Sequence, residues 1–261
     1  MVRYALMLVF PVLLVSIGVA GSESVSGREK PPELGPPLQA IQETEETARL
    51  LAILLDSGRY VINENQDLFD DPKKEQKGFS SEVFEQQLIE VFRSRSGIDL
   101  QELQSARLPR RTKEMLAVLV TVSKKVLAAA QPEINRKGVG FKGFIPAIFG
   151  LRVASRFTEI TGVRLKQTAL TPRNPMNAPD AFERSVLQEF ADPSFPREKV
   201  ISEVTAKSKS LRLMFPLYTT RQCLTCHGEP KGELDKTGHL REGLHLGQNA
   251  GAISVVIPIQ R

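Results

Sequence analysis

The residues whose types and spacing could do chemistry are Cys223-Leu224-Thr225-Cys226-His227. Two thiols set two residues apart can each add across a haem vinyl group, and the histidine directly after them can reach the iron. The pattern is that of a c-type haem attachment site. These are the only two cysteines in 261 residues, so neither has a partner elsewhere in the chain. The competing readings are a Cys223–Cys226 disulfide or redox dithiol and a structural zinc site. A redox C-x-x-C is expected near a βαβ pattern, and the residues leading from Tyr218 into the motif show none. The run Cys223-x2-Cys226-x12-His239-x5-His245 has the bare spacing of a Cys2His2 zinc finger. Pro230 and Gly228, Gly232, Gly238 and Gly243 in that interval disfavour the helix such a finger needs.

An iron held by His227 has a second axial position, for which the candidates are His245 and His239, then Met214, with Met176 a further thioether. His/His or His/Met ligation makes a closed electron-transfer centre, whereas an open position binds a gas or peroxide. Against these roles, a loop histidine is commonly solvated and a strand methionine commonly fills core. No Ser/His/Asp set or carboxylate pair is identifiable, so the sequence does not point to a hydrolase or any other enzyme.

The elements that must position this motif begin after an apolar leader. Arg3 precedes an almost wholly apolar run from Tyr4 to Ala20, and Gly18, Ala20, Gly21 and Ser22 supply small residues for cleavage. Residues 1–21 therefore read as a secretory signal, with a periplasmic address for the remainder. A membrane anchor follows only if the segment stays uncleaved, and no second apolar span is apparent. Residues 22–38, rich in Pro and Gly, read as a flexible linker. The composition, 41% hydrophobic and 25% charged, is that of an ordinary globular protein. The net charge of +5 is spread along the chain rather than gathered into a block, which weakens a nucleic-acid reading.

A repeat of 65 residues follows without a gap. Leu51-Ala52 and Leu54 recur as Leu116-Ala117 and Leu119, Lys77-Gly78-Phe79 as Lys142-Gly143-Phe144, Phe84 as Phe149, Phe92 as Phe157 and Gly97 as Gly162. Each unit, 39–103 and 104–165, predicts a long helix, a polar turn and a second helix, over Ser81–Ser94 and Pro146–Ile160. Gly97 and Gly162 stand where a helix needs a residue able to take positive φ. The recurrence of Lys77 and Lys142 is read as structural, with the turn's Gly and Phe supplying geometry and packing and the lysines left in solvent. From Leu165 the character changes to α+β. A strand over Lys166–Thr171, a proline-rich turn, a helix capped by Asp180 with Glu183, an antiparallel hairpin from Val200–Thr205 and Leu211–Tyr218, and a last strand over Gly251–Pro258 are expected.

Arg173-Asn174-Pro175, Asn177-Ala178-Pro179-Asp180, Phe182-Glu183, the Cys-x-x-Cys-His-Gly of 223–228 and Gly251-Ala252-Ile253-Ser254-Val255 fall in an order that resembles a bacterial family of c-type haem proteins with a PAS-like haem domain, long catalogued as a domain of unknown function. The resemblance runs from about Leu116 to the C-terminus. It implies an antiparallel PAS-like sheet over 166–261 beside the helices, with one covalent haem c and His227 as its proximal ligand. It also implies redox or small-ligand sensing, or electron transfer, outside the cytoplasm. Characterised members supply a cysteine from a helix before the Arg-Asn-Pro segment as the second axial ligand. The corresponding Val126–Pro132 has none, so that ligand does not carry over. Arg173 is a candidate partner for a haem propionate, the competing role being a salt bridge to Glu183 or Asp180 that fixes the turn. The expected partners are the c-type maturation machinery and a redox or signalling protein. The alternative to an electron carrier is a gas or redox sensor that signals to such a partner through the helices.

Overall fold

The computed structural model describes residues 37–205 and 209–259, so the leader, nearly all of the linker and three residues of the hairpin turn lie outside it. The helical half consists of α1 (Leu38–Glu64), α2 (Gln66–Asp70), α3 (Ser81–Ser96), α4 (Arg110–Ile134) and α5 (Pro146–Thr161). Four strands follow, β1 (Arg164–Thr168), β2 (Ile201–Thr205), β3 (Ser210–Tyr218) and β4 (Asn249–Pro258), with α6 (Ala181–Phe190) and a one-turn α7 (Leu224–His227) between them. The protein is α+β: a helical N-terminal half, then a four-stranded antiparallel sheet in the order β1-β4-β3-β2.

The repeat is visible as paired geometry. Helices α3 and α5 are each 16 residues long, and each stops at a glycine in the left-handed region, Gly97 at φ 74° and Gly162 at φ 71°. That conformation costs a side-chain-bearing residue about 1 kcal/mol or more. Equivalent residues meet across the two units: Thr47 and Thr112 hydroxyls lie 2.7 Å apart, and the Phe84 and Phe149 rings 5.4 Å apart. Lys77 and Lys142 are buried, not solvated. Each ammonium is satisfied by backbone carbonyls, of Asp71 for Lys77 and of Val139 and Gly140 for Lys142. Burial, and the charge of Lys77 close by, push the Lys142 amine below its ordinary value.

One continuous core joins the two halves. Leu50, Leu54, Leu55 and Val61 of α1 share it with Leu116 and Leu119 of α4, Phe149 and Phe157 of α5, and Leu211, Leu213, Ile253, Val255 and Ile257 of the sheet. Cross-strand partners Leu213 and Val255, and Leu211 and Ile257, stand side by side on that face, as the two-residue period requires. The opposite face carries α6 through a second cluster of Val186, Leu187, Phe190, Met214 and Ala252. Helix α4 is long and apolar enough to cross a membrane by length and composition. Its Leu116, Leu119, Val122, Val126, Leu127, Ala130 and Ile134 are nevertheless buried against α1, α3 and α5.

Candidate functional site

The motif sits where the central strand β3 leaves the sheet. Its start is pinned by Thr219, whose N–H donates to Gln248 O at 3.0 Å and whose carbonyl accepts from Gly247 N at 3.0 Å. The segments before and after the motif are thereby held together. Cys223 O accepts from Cys226 N at 3.2 Å and His227 N at 2.9 Å, which winds 223–227 into a single helical turn. Both cysteines are free and half-buried, and Cys223 Sγ lies 3.3 Å from Thr220 Oγ1. Thr220 also meets Asn63 Nδ2 at 3.5 Å, so the C-terminal turn of α1 adjoins the first thiol.

The loop after the motif is more ordered than a run of glycines suggests. Gly232 N donates to Arg241 O, Arg241 N to Glu233 O and Asp235 N to His239 O, all at 2.8–2.9 Å, with Leu234 bridged to Leu240. The folded-back loop carries Asp235 and Glu242 to Arg173. The guanidinium donates through Nε to Glu242 Oε1 at 2.6 Å and through Nη1 to Asp235 Oδ2 at 2.6 Å. Nη2 serves Glu242 Oε2 at 2.9 Å and the Cys226 carbonyl at 3.0 Å. Weaker contacts at 3.4 Å reach Thr237 Oγ1 and Leu240 O. With its donors turned onto this loop and onto the Cys226 carbonyl, Arg173 ties the loop to the motif. The salt bridge to Glu183 or Asp180 expected of Arg173 is not formed, because its carboxylate partners are Asp235 and Glu242. Glu183 is held by Lys166 and Asp180 by Arg212.

Glu242 continues to the motif itself: its Oε2 lies 2.8 Å from His227 Nδ1. With Nδ1–H given to a carboxylate, the neutral ring keeps its lone pair on Nε2, the state in which imidazole binds a metal. Burial alone raises the Glu242 carboxyl, but the hydrogen bonds from Arg173 and His227 outweigh it and hold it below its ordinary value. Asp235, whose side chain is 0% exposed, shows the same balance more strongly. Burial raises it, yet hydrogen bonds from Thr237, Arg173 and the His239 N–H hold it well below the usual carboxylate range.

Two free thiols and an imidazole with Nε2 as its unshared donor suit the attachment and ligation of a c-type haem; Cys223, Cys226 and His227 are the residues that would hold it. A model of the Tll0287-like family, described as Tll0287, matches residues 37–258. The chain belongs to the Tll0287-like family. Membership thus takes in the first helical repeat as well, not only the part from Leu116 onward where the motif resemblance lies. The crystal structure of the cyanobacterial haem protein Tll0287 aligns with 59% of this Tll0287-like chain and 98% of its own, at 18% identity and a TM-score of 0.41. No curated protein sequence matches the chain.

The other candidate ligands of this Tll0287-like chain are placed apart by role. Met214 is fully buried between the sheet and α6, packed with Phe190, Val186 and Leu187, and acts as core. His239 Nδ1 lies 2.9 Å from Thr237 Oγ1, on the loop beside Asp235. His245 is held by its backbone, its N–H donating to Gln248 Oε1 at 3.0 Å and its carbonyl accepting from Thr219 Oγ1. Met176 is exposed on a 3-10 turn, Pro175–Asn177. Among the described residues no group of three or more His, Cys, Asp and Glu side chains converges to hold a metal ion. Cys223, Cys226, His239 and His245, which have the finger-like spacing, form no such group. Glu242 and Asp235, unmarked in the sequence, are the carboxylates the fold brings to Arg173, and Glu242 also reaches His227.

Proposed function

We propose that this protein carries one covalently attached haem c and transfers single electrons outside the cytoplasm. The observation that carries the reading is a C-x-x-C-H motif with both thiols free and its histidine oriented by Glu242. Membership of a family named for a haem protein supports the same cofactor. Cys223 and Cys226 are the thioether anchors and His227 the proximal ligand. When bound, the haem supplies a one-electron Fe(III)/Fe(II) couple. The chain's own contribution is to hold His227 in one tautomer, to keep the attachment turn fixed through Thr219 and Arg173, and to set the polarity around the ring. The antiparallel sheet with α6 on one face and long helices on the other supports a PAS-like haem domain. The apolar leader supports export, attachment by the c-type maturation machinery and a periplasmic redox partner.

The test is a haem stain of a denaturing gel, with a reduced absorption spectrum, on the full chain expressed alongside a c-type maturation system. A stained band with a c-type spectrum is expected, and the Cys223→Ala, Cys226→Ala double variant should lose it. Colourless, unstained wild-type protein would sink the proposal. Exposing the ferrous protein to carbon monoxide decides between the two uses of the haem. An unchanged spectrum is expected of a carrier, and ready binding would turn the reading to a sensor.

A further inference from the structure

We infer that Glu242 is a positioning residue for His227, whose carboxylate fixes the imidazole through Nδ1, strengthens Nε2 as a donor and biases a bound haem toward its oxidised form. The inference rests on the haem reading above. Its basis is a contact that is built in and not incidental. His227 is 41% exposed at its side chain, and an exposed histidine with a freely swinging glutamate would keep no fixed partner. Here the glutamate cannot swing. Arg173 holds both of its oxygens, at 2.6 and 2.9 Å, and is itself held by Asp235 and by the carbonyl of Cys226 inside the motif. The backbone closes the same ring, because Leu244 N donates to His227 O at 2.8 Å only two residues after Glu242.

The chemical consequence follows from charge. A ring whose Nδ1–H is given to a carboxylate is richer in electron density at Nε2, and a richer donor favours the more highly charged metal. Arg173 shares Oε2 with His227, so it draws on the same carboxylate and moderates the donation. Glu242 and Arg173 thus form a graded pair, one strengthening the ligand and the other limiting that strengthening. Asp235 neutralises Arg173 from the far side without touching His227.

The experiment measures the midpoint potential of the full-length holoprotein and of Glu242→Gln, with Asp235→Asn as a charge control. Gln keeps the size and an acceptor oxygen but loses the charge. The expected result is unchanged haem staining and a ratio of ferrous to ferric haem, at fixed ambient potential, raised about tenfold. For a one-electron couple that is a midpoint about 59 mV more positive. Asp235→Asn should move it much less, and Glu242→Asp should fall between wild type and Glu242→Gln. Equal shifts for Glu242→Gln and Asp235→Asn would reduce the effect to net charge and overturn the inference. So would a stained Glu242→Gln with the wild-type midpoint, which leaves the haem reading intact. Should Glu242→Gln fail to accumulate, Glu242→Asp carries the test, and the absence of any shift in it overturns the inference. An unstained wild-type protein overturns both readings together.

Discussion

Replacing Arg173 with Met removes the cation from between two carboxylates while keeping an aliphatic chain of similar length. Asp235, with a side chain 0% exposed, loses its ion pair at 2.6 Å and is left as a buried charge. Breaking a buried pair from one side costs about 3–5 kcal/mol. Asp235 keeps hydrogen bonds from Thr237 N at 2.8 Å, Thr237 Oγ1 at 2.7 Å and His239 N at 3.1 Å, which places the loss at the low end, about 3 kcal/mol. At roughly 2–4 °C per kcal/mol for a chain of this size, the thermal midpoint should fall by about 6–12 °C. Circular dichroism melts at pH 7 measure it, and Asp235→Asn in the Arg173→Met background should recover part of the loss, because the orphaned charge is gone. The pH dependence has a definite sign. The folded-state value of Asp235 is depressed, so its stabilisation is fully present above the unfolded value of about 3.9 and is lost as pH falls toward the folded value. The gap between wild type and Arg173→Met should therefore hold steady above about pH 4 and close on further acidification. A loss below 1 kcal/mol at pH 7, or no recovery in the double variant, would refute the bracing role of Arg173.

Two further outcomes test the scaffold. Gly58→Ala would place a Cβ 2.8–3.0 Å from the Phe149 ring at the meeting of the two helical units, and should destabilise by about 1–3 kcal/mol, read by urea unfolding. Glu183→Ala removes half of the reciprocal cap with Asp180 and the buried partner of Lys166 Nζ at 2.8 Å; a loss of about 1–2 kcal/mol in the same assay is expected, with the α-helical signal largely retained.

What the sequence disclosed was local or periodic. The Asp180/Glu183 capping box, the glycine stops of α3 and α5, the β2–β3 hairpin and the repeat all follow from short-range rules, and the structure contains each of them. The motif Cys223–His227 stands in five consecutive residues, and the structure winds it into a single helical turn. The partners of Arg173 were not legible in the sequence. Asp235 and Glu242 lie 62 and 69 residues away in a loop without periodicity, and only the fold brings them in. Asp180 and Glu183 were nearer in sequence but are taken by Arg212 and Lys166. The buried lysines failed for a related reason. An ammonium can enter a core when backbone carbonyls receive it, and no single-sequence pattern announces carbonyls that a turn has left unpaired.

The repeat meets the site unequally through its two halves. Its two units exchange contacts reciprocally: Lys77 N donates to Asn135 Oδ1 at 2.9 Å, and Lys142 N to Asp70 Oδ1 at 3.2 Å, with each acceptor 65 residues from its counterpart. Such an i-to-j, j-to-i exchange is the signature of a two-fold relation, here within one chain. The rings repeat it, with Phe79–Phe84 at 6.5 Å and Phe144–Phe149 at 6.4 Å, both edge-on. The sheet has no such symmetry, so it breaks the equivalence. α1 lies across β3 and β4 and ends beside Thr220 and Cys223, whereas its counterpart α4 packs on helices. Asp70, serving the Lys142 turn through Oδ1, takes Lys236 of the post-motif loop through Oδ2 at 2.7 Å. One carboxylate thus ties the pseudo-symmetric helical pair to the loop that carries Asp235 and Glu242. The duplication supplies a stiff platform: its first unit reaches the motif through Asn63, and both units meet the loop at Lys236, through Asp70 and the Phe141 ring.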